Sequence, residues 1–264
     1  MVDFIRKESY NVQDLVEIMK LLRAPDGCPW DAEQTHESIK KNLIEETYEV
    51  IEAINKKDND LLCEELGDLL MQVVFHAQME AEEGTFDFDT VSDGVCKKLI
   101  ERHPHVFGDV SISGVDDVLT NWDAIKRKTK KQKTTTESML SVPRELPALM
   151  RATKLQKKAA DVGFDWSEVS GALEKLEEEI AELRQAISNS DKENMAEELG
   201  DVLFSAVNVS RFIKVDAEES LTAASDKFLS RFTNVENLAA ERGIDMKSVG
   251  IDELDKLWDE AKSK

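Results

Sequence analysis

The sequence predicts an all-α protein built from two homologous helical halves, and three observations carry that reading. Aromatic residues make up only 6% of the 264-residue chain, and the short alternating Val/Ile/Thr runs that mark strands are missing. Apolar residues recur at helical spacing almost throughout. The stretch from Glu45 to Val74 occurs a second time, without a gap, as Glu178 to Val207, with 13 of 30 positions identical. At a nearby offset, Lys98-Leu99-Ile100-Glu101-Arg102 answers Lys227-Phe228-Leu229-Ser230-Arg231, and Trp122-Asp123 with Lys126 answers Trp258-Asp259 with Lys262. The boundaries that follow are an N-terminal helical domain over 1–128, a linker over 129–147 and a C-terminal helical domain over 148–264, each close to the usual domain size. Each half should be a helical bundle of about four or five helices.

Taken in order, Asp26-Gly27-Cys28-Pro29 ends the first helix, and Gly84 and Gly163 mark further ends. Pro143 and Pro147 punctuate the connection between the halves. In the second half Val169, Leu173, Leu176, Ile180, Leu183 and Ile187 step by three and four residues, which makes one apolar stripe on one helix. After the polar loop Ser188-Asn189-Ser190, Asp191 or a neighbour starts the next helix. The short loop predicts an antiparallel hairpin, and the repeat predicts the same hairpin in the first half.

Composition narrows the function. A formal charge of −21 argues against a nucleic-acid polymer as partner, because phosphate backbones recruit basic surfaces. The one basic run, from Lys126 to Lys133, reads as a helix end leading into the linker. No segment approaches the length needed to span a bilayer, and residues 1–7 carry no apolar run of the kind a signal peptide needs, so the expected location is the cytoplasm. The three cysteines, Cys28, Cys63 and Cys96, are expected to be reduced and buried.

The identical positions of the repeat concentrate in acids. Glu45-Glu46-x-x-Glu49 and Glu65-x-x-Asp68 return as Glu178-Glu179-x-x-Glu182 and Glu198-x-x-Asp201. On the helix through Glu65 and Asp68, apolar residues cover roughly 200° of the circumference, so the helix is expected to be largely buried. Glu65, Asp68 and Gln72 share one narrow stripe with no cation on it. Buried carboxylates without a partner cost several kcal/mol, and a divalent cation is the simplest compensation. If the two helices pack antiparallel, Glu179 and Glu182 can face Glu198 and Asp201. Four carboxylates without His or Cys suit Mg²⁺, with Mn²⁺ as a substitute. A single Glu-Glu-x-x-Glu is ordinarily a solvated helix face; two copies at one spacing are what favour a metal site.

Basic residues that could meet an anionic ligand are Lys175, Lys227, Arg231 and Lys262, with Trp258 as a flat ring beside them. Lys175 could instead bridge to Glu179, and Trp258 could be a packing residue. Asn42 replaces Lys175 in the first half, so the second half is the better equipped. Trp30 reads as a packing anchor rather than a stacking platform, and His103-Pro104-His105 as a turn rather than a metal site.

With Gly27-Cys28-Pro29-Trp30-Asp31-x-x-Gln34-Thr35 ahead of the first acidic cluster, the chain resembles the two-domain MazG-type nucleoside triphosphate pyrophosphohydrolases over nearly its whole length. The resemblance implies all-α bundles completed by homodimerisation, Mg²⁺ dependence, and cleavage of nucleoside triphosphates to monophosphate and pyrophosphate. It implies metal ligation by Glu179, Glu182, Glu198 and Asp201, and a nucleotide pocket lined by Lys175, Lys227, Arg231, Trp258 and Lys262. Asn194 departs from the pattern, standing where a basic residue is common. Glu178 is the candidate general base, and Glu46, Glu49, Glu65 and Asp68 a candidate second site. Two other readings stay open at this point: a non-enzymatic acidic adaptor, and a carboxylate di-iron bundle, for which only one Glu-x-x-His motif, Glu33 to His36, is present.

Overall fold

The computed structural model describes residues 4–110, 114, 118, 122, 125 and 134–262. The chain divides into two compact units, Met1–Lys126 and Arg127–Lys264, and among the described residues all regular structure is helical. The first unit contains α1 (Val12–Arg23), α2 (Pro29–Glu33), α3 (His36–Lys56), α4 (Asn59–Glu82), α5 (Phe88–Arg102) and α6 (Pro104–Phe107). The second contains α7 (Thr135–Leu140), α8 (Ala148–Ala160), α9 (Val169–Asn189), α10 (Lys192–Phe212), α11 (Ala217–Glu241) and α12 (Ile251–Ala261). Part of the stretch read as a linker is therefore helical, since α7 packs against α8. Residues 129–133 of that stretch lie outside the described residues.

Each unit is organised around one antiparallel hairpin, α3 with α4 and α9 with α10. The turns are built alike. Lys57 and Ser190 sit at equivalent positions with left-handed backbone, φ 56° in both, and close their helices. The next residue is an aspartate in each copy: Asp58 accepts from the amides of Asp60 and Leu61, and Asp191 from that of Asn194. Those carboxylates satisfy amides that the first helical turn leaves without partners. Burial repeats as well, with Ala53 and Ala186 fully buried, and Ile39, Val74, Ala172 and Val207 nearly so.

The cores then diverge. In the first unit Met19, Ile39, Val74, Phe75 and Met79 form the buried cluster, so α1 closes one end of the hairpin. In the second, Val235, Leu238, Ala239, Leu257 and Ala261 form it between α11 and α12. Gly27 makes the α1–α2 corner possible: a Cβ there would fall 2.2 Å from the Leu21 carbonyl oxygen, while its own amide donates to Ala24.

Three expectations need correction. The helix through Glu65 and Asp68 is not largely buried within one chain: its buried residues run from Gln72 to Met79, while Leu66 is 49% exposed, as is its equivalent Leu199 at 50%. The helices that pack on it, α3, α1 and α5, leave part of so wide an apolar arc uncovered. Trp30 is not an anchor, being 60% exposed. Of the cysteines, all free, Cys28 is half-buried and Cys63 and Cys96 are exposed, Cys96 because α5 buries none of its residues. His103 and Pro104 do interrupt the chain, with the His103 ring on the Leu99 carbonyl and Pro104 opening α6.

Candidate metal and nucleotide site

The second-half hairpin brings Glu179 and Glu182 of α9 opposite Glu198 of α10. One carboxylate oxygen from each lies within 4.8 Å of the others, and Glu179 is 5% exposed. The spacing does this directly, since residues three apart on a helix are neighbours and an antiparallel partner presents its own acid to them. Asp201 stands outside this tight trio but close enough for its charge to act on Glu198. Loss of solvent, then the charges of Glu182, Glu179, Asp201 and Glu197, hold the Glu198 carboxyl above the ordinary glutamate range. Glu178 is exposed at the edge.

The first-half hairpin repeats the arrangement with Glu46, Glu49 and Glu65, again within 4.8 Å and with Asp68 nearby. Burial, a hydrogen bond shared with Glu49 and the charge of Asp68 push Glu46 up. Glu65 is likewise raised, by loss of solvent first and then by Glu49. Neither trio contains His or Cys, which suits a hard divalent cation held by oxygen.

The groups around the two trios differ. Lys175 places its ammonium 2.9 Å from Glu178 and 2.8 Å from Glu179, so the bridging alternative raised above is present in the structure. Those two carboxylates hold the Lys175 ammonium well above the ordinary lysine range. The first half has Asn42 at that position and has Gln72 where the second has Ser205. Gln72 is 5% exposed; its amide nitrogen donates to Glu46 at 3.5 Å and its buried carbonyl oxygen has no protein partner.

The remaining candidates form a separate group on α11 and α12. The Arg231 guanidinium lies 6.0 Å from the centre of the Trp258 ring, which also meets Phe228 at 5.3 Å. Trp258 packs against the core of this unit, so its structural alternative is real. Lys227 sits one turn before Arg231 on an exposed face, and Lys262 pairs with Asp259 at 2.7 Å. The first half reproduces the cation-on-indole contact, with Arg102 5.1 Å from Trp122; Lys126 lies outside the described residues.

Sequence reasoning missed one cluster. His36 at the start of α3 is 2.6 Å from His76 of α4, nitrogen to nitrogen, and 2.9 Å from Glu80. No spacing rule links positions 40 residues apart, and the second half carries Val169, Val209 and Ile213 there. Glu33 and His36 also fall on different helices, so the lone Glu-x-x-His motif does not present a ligand pair.

The MazG nucleotide pyrophosphohydrolase domain matches this chain twice, over residues 34–107 and 168–236. The chain belongs to the MazG nucleotide pyrophosphohydrolase family. Members of that family are hydrolases acting on phosphoric anhydride bonds. Among the MazG relatives, the Escherichia coli K12 nucleoside triphosphate pyrophosphohydrolase is 45% identical over 95% of this chain and 97% of its own length. The Thermotoga maritima nucleoside triphosphate pyrophosphohydrolase/pyrophosphatase MazG is 45% identical over 95% of both chains. The uncharacterized protein YabN of Bacillus subtilis is 50% identical over 93% of this chain and half of its own length. Both matched MazG segments contain the complete set of acids, Glu46 to Asp68 and Glu179 to Asp201.

Proposed function

We propose that this MazG protein hydrolyses nucleoside and deoxynucleoside triphosphates to the monophosphate and pyrophosphate, with Mg²⁺ bound mainly in the second half, and serves to clear or regulate nucleotide pools. The observation that carries the proposal is the convergence of Glu179, Glu182 and Glu198 within 4.8 Å beside a lysine, without any softer ligand. With Asp201 these acids would hold Mg²⁺, which when bound neutralises phosphate charge and lowers the pKa of a coordinated water.

The chain's own side chains supply the rest. Glu178 sits next to the metal ligands and accepts the proton of the attacking water. The water oxygen bonds to phosphorus, the bridging P–O bond between the α and β phosphates breaks, and the electron pair leaves on the departing group. Lys175, Lys227, Arg231 and Lys262 balance the charge of the pyrophosphate, and Trp258 offers a ring face to the base.

Homodimerisation is part of the proposal. It is supported by the matched exposure of Leu66 and Leu199, and of Ile54 and Ile187, at equivalent positions of the two hairpins. No described helix is long and apolar enough to cross a membrane, and a cytoplasmic location agrees with a triphosphate substrate.

The test is to incubate the full chain with each triphosphate, with and without Mg²⁺, and to resolve pyrophosphate from orthophosphate. Equal yields of monophosphate and pyrophosphate that depend on the metal are expected. Orthophosphate as the product, or turnover indifferent to chelation, overturns the reading.

A further inference from the structure

The two acidic trios occupy equivalent positions, yet their charge is compensated in different ways. In the second half the compensation is built in, because Lys175 reaches 2.8 Å from Glu179, one of the three converging acids, and 2.9 Å from Glu178. In the first half Asn42 brings no charge, and the group that enters is Gln72, nine-tenths buried, with its carbonyl oxygen lacking any protein partner. One cluster thus carries its own cation, and the other an unused neutral oxygen donor.

An ammonium drawn onto Glu179 and a divalent cation held by the same carboxylate repel each other at a few ångströms. The metal can bind well only once the ammonium has another anion to meet. The phosphate oxygens of a triphosphate are such an anion, and a lysine side chain is long and flexible enough to swing to them. Resting on the reading of the second half as a triphosphate site, we propose that Lys175 is an exchangeable counterion that makes metal and nucleotide bind there as a unit. The first half, lacking the lysine and offering the Gln72 carbonyl, takes a divalent cation without nucleotide. By linkage, the factor by which nucleotide tightens the metal at the second site equals the factor by which metal tightens the nucleotide.

Mn²⁺ titrations of the full chain, followed by the electron paramagnetic resonance of free Mn²⁺, test this with and without an α,β-methylene triphosphate. In wild type without the analogue the tighter site should vanish in Glu65→Gln and persist in Glu198→Gln. On the Glu65→Gln background the analogue should tighten Mn²⁺ binding. On that background Lys175→Asn should by itself tighten it by on the order of tenfold, the effect of relieving a like-charge contact in a solvated cluster, and should reduce the analogue's effect. Gln72→Ser should weaken the first site alone. Helical circular dichroism identifies any variant that fails to fold, and Lys175→Met then replaces Lys175→Asn. Unchanged Mn²⁺ affinity in folded Lys175 variants overturns the proposal even if the enzyme hydrolyses triphosphates. A chain that binds no triphosphate leaves the analogue arm flat in wild type and sinks the functional reading, while the lysine comparison with Mn²⁺ alone is still decided.

Discussion

The two hairpins of this chain share a turn, a capping aspartate, a pair of fully buried alanines and a trio of glutamates, and differ in what surrounds the acids. Around the second trio stand Lys175 and Ser205, with Val209 further along α10 and Ile213 just past its end; the first has Asn42, Gln72, His76 and Glu80 in their places. The repeat keeps the carboxylates and changes the groups around them. On the proposed reading, the difference separates metal binding, which would reside in the hairpin, from catalysis, which would depend on the side chains around it.

The sharpest way to break the comparison is to remove one acid from each trio. If Glu198 is a metal ligand as proposed, Glu198→Gln should lower turnover by on the order of a thousandfold, the several kcal/mol that such a ligand contributes to the transition state. Glu65→Gln should change it less than about threefold if the first trio serves no chemistry. Steady-state pyrophosphate release by the two variants measures both. Similar losses in the two would erase the distinction between the halves.

A smaller effect is expected at the cation-on-indole pairs. Arg231→Ala should raise KM by about tenfold or more, the size of a lost charged hydrogen bond to phosphate, with a lesser change in kcat. Arg102→Ala, which breaks the equivalent contact 5.1 Å from Trp122, should leave KM unchanged. A rise in KM in both would mean that the first half contributes to nucleotide binding.

Much of this architecture was legible in the sequence, for reasons the structure makes plain. The hairpins were readable because helical period and gapless repetition act locally: Glu45 to Val74 and Glu178 to Val207 specify the same turn with the same Asp58 and Asp191 caps. The trios were readable because facing acids on an antiparallel hairpin follow from spacing alone. Burial of the first turns of α4 and α10 was misjudged, since a sequence shows how wide an apolar face is but not how much of it one chain covers. The His36–His76–Glu80 cluster and the two arginine clamps, Arg23 with Glu82 and Arg211 with Asp165, were invisible because their partners lie 40 to 59 residues apart with no repeat to mark them.

Those clamps give the next comparison. Arg23 holds Glu82 through two bonds of 2.8 Å, while also donating to the Gln34 carbonyl at 3.2 Å. Arg211 holds Asp165 at 2.8 and 2.5 Å. Hydrogen bonds from the guanidinium hold Glu82 below its ordinary 4.5 and Asp165 below its ordinary 3.8. A depressed folded-state pKa means that the unfolded chain takes up the proton first, so each clamp stabilises above those values and is lost as pH falls through the folded one. Glu82→Gln and Asp165→Asn should each cost about 1 kcal/mol near pH 7, screening included, and the difference from wild type should be smaller near pH 3. Denaturant titrations at the two pH values check this. A penalty that persists undiminished in acid would assign the effect to packing.

The smallest effect separates the halves at milder pH. His76 has its Nε2 buried without a partner and its ring stacked on His36, 4.9 Å between centres. Burial first, and then the neighbouring His36, hold His76 below the ordinary histidine value of 6.5. Protonation therefore favours the unfolded first half, and its stability should decline as pH falls below 6.5, a window in which Val209 leaves the second half untouched. Glu80, which bonds to His36 at 2.9 Å, faces the same cluster and is itself held low by Thr85 and His36, so it stays ionised through that window and softens the decline. His76→Val, which installs the second half's residue, should flatten the pH dependence of hydrogen exchange in α3 and α4 between pH 7 and 5, by less than about tenfold in protection. The exchange of α9 and α10 should not respond, and a parallel response there would show that the histidines act on the whole chain rather than on the half that contains them.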